Sequence, residues 1–226
     1  MTSPLADLAL PAPYAASLRP GTSETLVIAF SSIGHDPDRM PEPEFRRIAP
    51  GTDRPALFFR DAGRSWASAP GWAAALQQAV AAAAAHQRFA RIVTLGVSMG
   101  AVAALRAAEL LPVAAVLAIG PQSDASGDAR WRAWTARQAI PPCPLPQGPW
   151  IVLAHGLHDD AGQAAGFAPR KGVDHLLFAG QGHASLAPHL KRHGLQGMVD
   201  ALAEGDRRRL LRIATAAGGA RRQLPR

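Results

Sequence analysis

Three residue types set far apart in the chain can together turn a weak hydroxyl into a nucleophile: Ser98, an acid at Asp159 or Asp160, and His183. A serine hydroxyl attacks poorly at neutral pH, so it needs a base within hydrogen-bond reach and an acid that orients the base. Ser98 lies in Gly96-Val97-Ser98-Met99-Gly100, a G-x-S-x-G pattern. The pattern fixes only three positions and recurs by chance in Gly- and Ala-rich chains. Its surroundings supply the missing information. Ile92, Val93 and Leu95 precede it as an apolar run, and Ala101 to Leu105 follow as a small-residue helix former. Strand, sharp turn, helix is the setting in which a nucleophilic serine stands exposed at the end of a sheet. There the helix N-terminus favours developing negative charge.

His183 is the best placed of the eight histidines to serve as base. It follows an apolar strand and the turn Gly180-Gln181-Gly182, and small residues and a helix come after it. His175 opens a strand at the wrong end, His86 ends a helix, and His189 and His193 belong to the last helix or its exit. The acid is open between Asp159 and Asp160 in WIVLAHGLHDD, with Asp124 as a third candidate after the preceding strand. Adjacent residues point in different directions, so one of the pair is expected to orient the base and the other to cap a helix. The oxyanion donors expected are the Met99 N–H and an N–H from the loop after the first strand, that of Ser32 or its neighbour Ser31. Asp61, Arg64 and Gln122 are candidates for the pocket rim, but loop stabilisation is the favoured role for each.

Positioning these groups requires a layered fold. Apolar runs of strand length occur at Thr25–Phe30, Ala56–Arg60, Arg91–Leu95, Val113–Ile119, Trp150–Ala154 and His175–Phe178. Helical segments alternate with them: Gly71–His86, the stretch from the turn to about Leu111, an amphipathic Asp128–Gln138, a short Ala161–Phe167, and a last helix from Leu186 or Leu195 through Ala203 that Arg207–Ala217 extends. A short helix near Glu42–Ile48 is expected inside a long Pro-rich loop. The alternation predicts an α/β fold, a doubly wound, mostly parallel sheet flanked by helices, with ligands bound beyond the carboxyl ends of the strands. Residues 1–20 read as an irregular arm or a poorly anchored edge strand, and 206–226 as a basic tail.

At 226 residues with 48% hydrophobic content, the chain suits one domain with a sizeable core. Its single cysteine, Cys143, excludes an intrachain disulfide and points to the cytoplasm, as does the lack of a signal-like N-terminus. The net charge of +7 is concentrated in the last quarter. No aromatics interleave with those arginines, so a solvated face is favoured over a specific nucleic-acid contact. No membrane span is expected.

GVSMGAVAAL, the later IGPQS, LFFRDAGRSW and the closing GHASLAPHLKRHG resemble the α/β-hydrolase superfamily. More narrowly, they resemble a group of small bacterial members with a G-x-S-M-G elbow, a Pro-Gln pair after the next strand and a Leu-Lys-x-x-Gly segment after the base. The likeness spans roughly residues 25–205. It implies a minimal α/β-hydrolase fold without a separate cap domain, and a Ser-Asp-His triad, but no particular substrate. Ala101 stands where a second glycine is frequent, and FSSIG replaces the usual His-Gly after the first strand. The expectation is a serine hydrolase acting on a small acyl ester or thioester, with no cofactor. The alternative is a non-catalytic binding or scaffold protein of the same fold. A metal site at His155-x-x-His158-Asp159-Asp160 lacks the helical H-E-x-x-H context, and no phosphate-binding glycine motif is present.

Overall fold

The computed structural model describes residues 5–223. Nine strands form one sheet: β1 (Ala6–Leu8), β2 (Tyr14–Arg19), β3 (Thr25–Phe30), β4 (Ala56–Asp61), β5 (Arg91–Val97), β6 (Val113–Ile119), β7 (Trp150–Gly156), β8 (Val173–Phe178) and β9 (Ala220–Arg221), in the spatial order β1-β2-β4-β3-β5-β6-β7-β8-β9. The run from β4 to β8 is parallel, whereas β1, β2 and β9 are antiparallel additions at the edges. After β3 the chain builds outward to β4, then returns past β3 to lay down β5, β6, β7 and β8 on the other side. This reversal between β3 and β5 opens a crevice at the carboxyl ends of the strands.

The central strands are buried on both faces, and alternate residues feed different cores. Leu26, Ile28 and Phe30 of β3 pack with α1 (Trp72–Ala84) and α2 (Met99–Leu110). Val27 and Ala29 face the opposite core, built with α5 (His183–His193), α6 (Leu195–Glu204) and α7 (Arg207–Ala216). Two short helices, α3 (Arg132–Thr135) and α4 (Ala161–Ala165), lie in the connections after β6 and β7. Among the described residues no helix is long and apolar enough to cross a membrane.

Four expectations need correction. Within the described part of residues 1–20, β2 is no loose arm: it pairs with β4 along all six residues, and Tyr14, Ala16, Ser17 and Leu18 are buried. β1 covers its outer edge, with the Ser17 hydroxyl donating to Asp7 at 2.6 Å. Residues 206–223 are not a tail either. Asp206 caps α7 by accepting the Arg209 N–H at 2.9 Å, and Leu210 and Ala214 are fully buried. Arg207 and Arg221 both bind the buried Asp174, at 2.6 and 2.8 Å, and tie α7 and β9 to β8. No helix forms at Glu42–Ile48, where Phe45 takes a φ of 59°, a left-handed conformation that a helix cannot absorb. The stretch Asp128–Gln138 yields only a 3₁₀ turn at Ala129–Trp131 followed by α3.

Candidate active site

Ser98 joins β5 to α2 with φ 55° and ψ −125°. A non-glycine residue there is strained, and such strain persists only where the surroundings over-determine it. The Ser98 N–H donates to Ile119 O at 2.8 Å, which ties the turn to β6. The flanking glycines permit its tightness. A Cβ on Gly96 would stand 2.0 Å from Gly100 O, and one on Gly100 would stand 2.4 Å from Phe30 O. The methyl of Ala101, in contrast, is accommodated and fully buried. Thr94 adds a clasp between strand and helix, its buried hydroxyl donating to Ala104 O at 3.0 Å.

The loops after β7 and β8 converge on this turn. They run so close that a Cβ on Gly156 would lie 2.5 Å from Gln181 O. His183, the first residue of α5, places Nε2 2.9 Å from Ser98 Oγ and Nδ1 2.6 Å from Asp160 Oδ2. The Trp131 ring packs against the imidazole at 4.9 Å between centroids. Asp160 is 1% exposed and its other oxygen accepts from Arg130 at 2.7 Å. Burial pushes this carboxyl up, but the hydrogen bonds and positive charge of His183 and Arg130 outweigh burial and hold it below its ordinary value. Arg130 also binds Asp128 at 2.6 Å, and that hydrogen bond lowers the Asp128 carboxyl to about 2 against the opposing effect of burial.

The neighbouring Asp159 has a different partner. Its Oδ1 accepts the main-chain N–H of His183 at 2.6 Å and so caps the start of α5. Asp124 accepts the Gly127 N–H at 2.9 Å and makes no contact with His183. His155 is fully buried and both its ring nitrogens are engaged, one with His175 and one with Pro121 O, each at 2.9 Å. It has no nitrogen left for an ion beside His158.

Neither serine expected to supply an oxyanion donor has a free N–H. Ser31 N–H donates to Phe59 O at 3.2 Å, a continuation of the β3–β4 pairing. Ser32 N–H donates to the Glu44 carboxylate at 3.1 Å, and the Ser32 hydroxyl binds the same oxygen. The Met99 N–H has no partner among the described residues, and the next main-chain donor after β3 of which that is true is Ile33. Met99 and Ser31 also line a cavity of about 10 Å³ with Phe30, Trp72 and Ala103.

Asp61 and Arg64 stabilise a loop. Asp61 accepts from the Gly63 N–H, the Ser65 N–H and the Ser65 hydroxyl at 2.6–3.0 Å. The buried Arg64 guanidinium donates to the carbonyls of Ile33, Asp36, Arg39 and Ala62 at 2.6–3.2 Å. Gln122 is the residue whose importance sequence reasoning underrated: its Nε2 lies 2.9 Å from Ser98 Oγ and its Oε1 2.9 Å from Trp66 Nε1.

No protein-family model and no curated protein matches the chain. Solved structures do. The capsule O-acetyltransferase of Neisseria meningitidis serogroup A superposes with a TM-score of 0.63 at 14% identity, covering 86% of this chain and 93% of that one. A Pyrobaculum calidifontis esterase gives 0.63 at 13% identity over 91% and 86% of the two chains. Mouse alpha/beta hydrolase domain-containing protein 10 gives 0.56 at 14% identity over 90% and 99%. At such identities the likeness speaks for architecture, and the architecture is the α/β-hydrolase fold.

Proposed function

We propose that this chain is a serine hydrolase acting on an acyl ester or thioester. Ser98 Oγ attacks the acyl carbon while His183 Nε2 takes the hydroxyl proton. His183 then returns that proton to the departing alcohol or thiol, which leaves an acyl group on Ser98. Water repeats the sequence in reverse roles and frees the acid. Asp160 holds the imidazole with Nδ1–H toward itself and stabilises the imidazolium that forms. Asp159 acts through the helix that carries His183. For the oxyanion we assign the main-chain N–H groups of Met99 and Ile33.

The observation that carries this reading is the unbroken contact from Ser98 Oγ through the His183 ring to Asp160, 2.9 and 2.6 Å, at the crest of a strained turn. The solved structures of the same fold include esterases and an O-acetyltransferase, in keeping with acyl chemistry. The narrower likeness to small bacterial hydrolases with a G-x-S-M-G elbow belongs to the same proposal, as do a one-domain chain and a cytoplasmic site of action. The test is hydrolysis of p-nitrophenyl acetate by the wild type, Ser98→Ala and His183→Ala. Turnover that falls at least about 10³-fold in both variants supports the reading. Turnover indifferent to both would leave a binding or scaffold role for the fold.

A further inference from the structure

We propose that Gln122 is an additional catalytic residue, whose side-chain N–H stabilises negative charge on Ser98 Oγ as the bond from Oγ to the acyl carbon breaks. The proposal rests on the serine-hydrolase reading above. An indole N–H can only donate, so the Trp66 Nε1 contact at 2.9 Å makes Oε1 the acceptor end of the Gln122 amide. Its NH₂ must then face Ser98, and it donates to Oγ at 2.9 Å. The Asp160 carboxylate claims the Nδ1–H of His183, so Nε2 accepts, and the Ser98 proton is directed onto it. Donors and acceptors therefore run one way from Trp66 through Gln122, Ser98 and His183 to Asp160.

The surroundings of Gln122 are built to hold it. It is 1% exposed and Trp66 is fully buried. Trp66 is delivered by a loop in which Arg64, Trp66 and Ala67 all take positive φ, 48°, 50° and 60°. Three strained non-glycine residues within four positions are costly, and the Asp61 and Arg64 networks hold them. From the other side, the buried His155 donates through Nε2 to Pro121 O at 2.9 Å and fixes the peptide immediately before Gln122.

The chemical consequence is a bias between the two halves of the cycle. In the acyl-enzyme, Oγ is an ester oxygen and a poor acceptor. When the tetrahedral intermediate collapses, the C–Oγ bond breaks, its electron pair returns to Oγ, and His183 Nε2 delivers a proton there. A fixed N–H at 2.9 Å gains strength as that charge grows. During acylation the starting hydroxyl oxygen is already a good acceptor, so the gain is smaller. Loss of Gln122 should thus slow deacylation more than acylation.

The experiment is stopped-flow hydrolysis of p-nitrophenyl acetate, which separates the acylation burst from steady-state turnover, by wild type, Gln122→Met, Gln122→Glu and Trp66→Phe, with melting curves for each. Gln122→Met keeps the volume and removes the donor. Gln122→Glu keeps an acceptor for Trp66 but turns an acceptor toward Ser98. Deacylation slowed roughly tenfold or more, with the burst slowed several-fold less, supports the proposal. Unchanged deacylation in a folded Gln122→Met, or equal slowing of both phases, overturns it. Trp66→Phe decides in the same terms should Gln122→Met not fold. A wild type with no Ser98-dependent turnover would instead sink the hydrolase reading and this proposal with it.

Discussion

Asp159 and Asp160 grip the same histidine from two sides: Asp160 meets the His183 ring at 2.6 Å, and Asp159 meets the His183 main-chain N–H at 2.6 Å. Replacing each therefore has a different outcome. Asp160→Asn leaves Arg130 its partner Asp128 and keeps the fold, but presents the wrong hydrogen-bond partner to Nδ1. Its kcat should drop by about 10³–10⁴. Asp159→Ala removes a cap from α5, which costs about 1 kcal/mol of stability and changes kcat only a few-fold. Steady-state kinetics and urea unfolding on both variants test the assignment. Equal losses of kcat would contradict it.

Acid should unfold the protein through His155 and His175. Burial depresses both, to about 4 and about 3, and their contact at 2.9 Å leaves room for a single shared proton. Below about pH 6.5 the unfolded chain takes up two protons that the folded chain refuses, so this contribution is complete above that pH and is lost as pH falls. The unfolding free energy from urea titrations should decline from pH 7 toward pH 4, with a slope of at most about 2.7 kcal/mol per pH unit, and the midpoint should fall with it. A midpoint constant down to pH 4.5 would show that these rings titrate normally.

Acyl length should matter. The cavity beside Met99 and Ser31 measures about 10 Å³ and is walled by Phe30 and Trp72, room for about one water-sized group. Acetyl esters of p-nitrophenol should exceed octanoyl esters in kcat/KM by about tenfold or more, since overfilling a packed wall costs 1–3 kcal/mol. A rate that rises with chain length would place the acyl group elsewhere.

The six inner strands were legible because burial on both faces writes them as unbroken apolar runs, and Ser98 because strand, G-x-S-x-G and helix coincide. The meeting of Ser98 with His183 follows from that order of elements. Sequence could not divide Asp159 from Asp160, since the division depends on how one turn aims two adjacent carboxylates. The firm anchoring of β2 was not legible because Ala15, Ala16 and Ser17 carry little strand signal; their burial comes from pairing with β4. The helix at Arg207–Ala217 was legible, but the burial of Leu210, Ala214 and Ala217 on one face of it was masked by the arginines between and before them. Two site features depend on tertiary contacts alone. Glu44 takes the Ser32 N–H from a turn that Phe45 prevents from becoming a helix. Gln122 gains its role from Trp66, which reaches it only through a loop of left-handed residues that no residue-type preference would suggest.

The most direct measurement is intact-mass and peptide-level analysis after treatment with a fluorophosphonate. An activated Ser98 predicts one adduct per chain, mapped to Ser98, absent in Ser98→Ala and formed at least about 10³-fold more slowly in His183→Ala. A folded wild type that takes up no adduct, or takes it up on another residue, would contradict a nucleophile at Ser98.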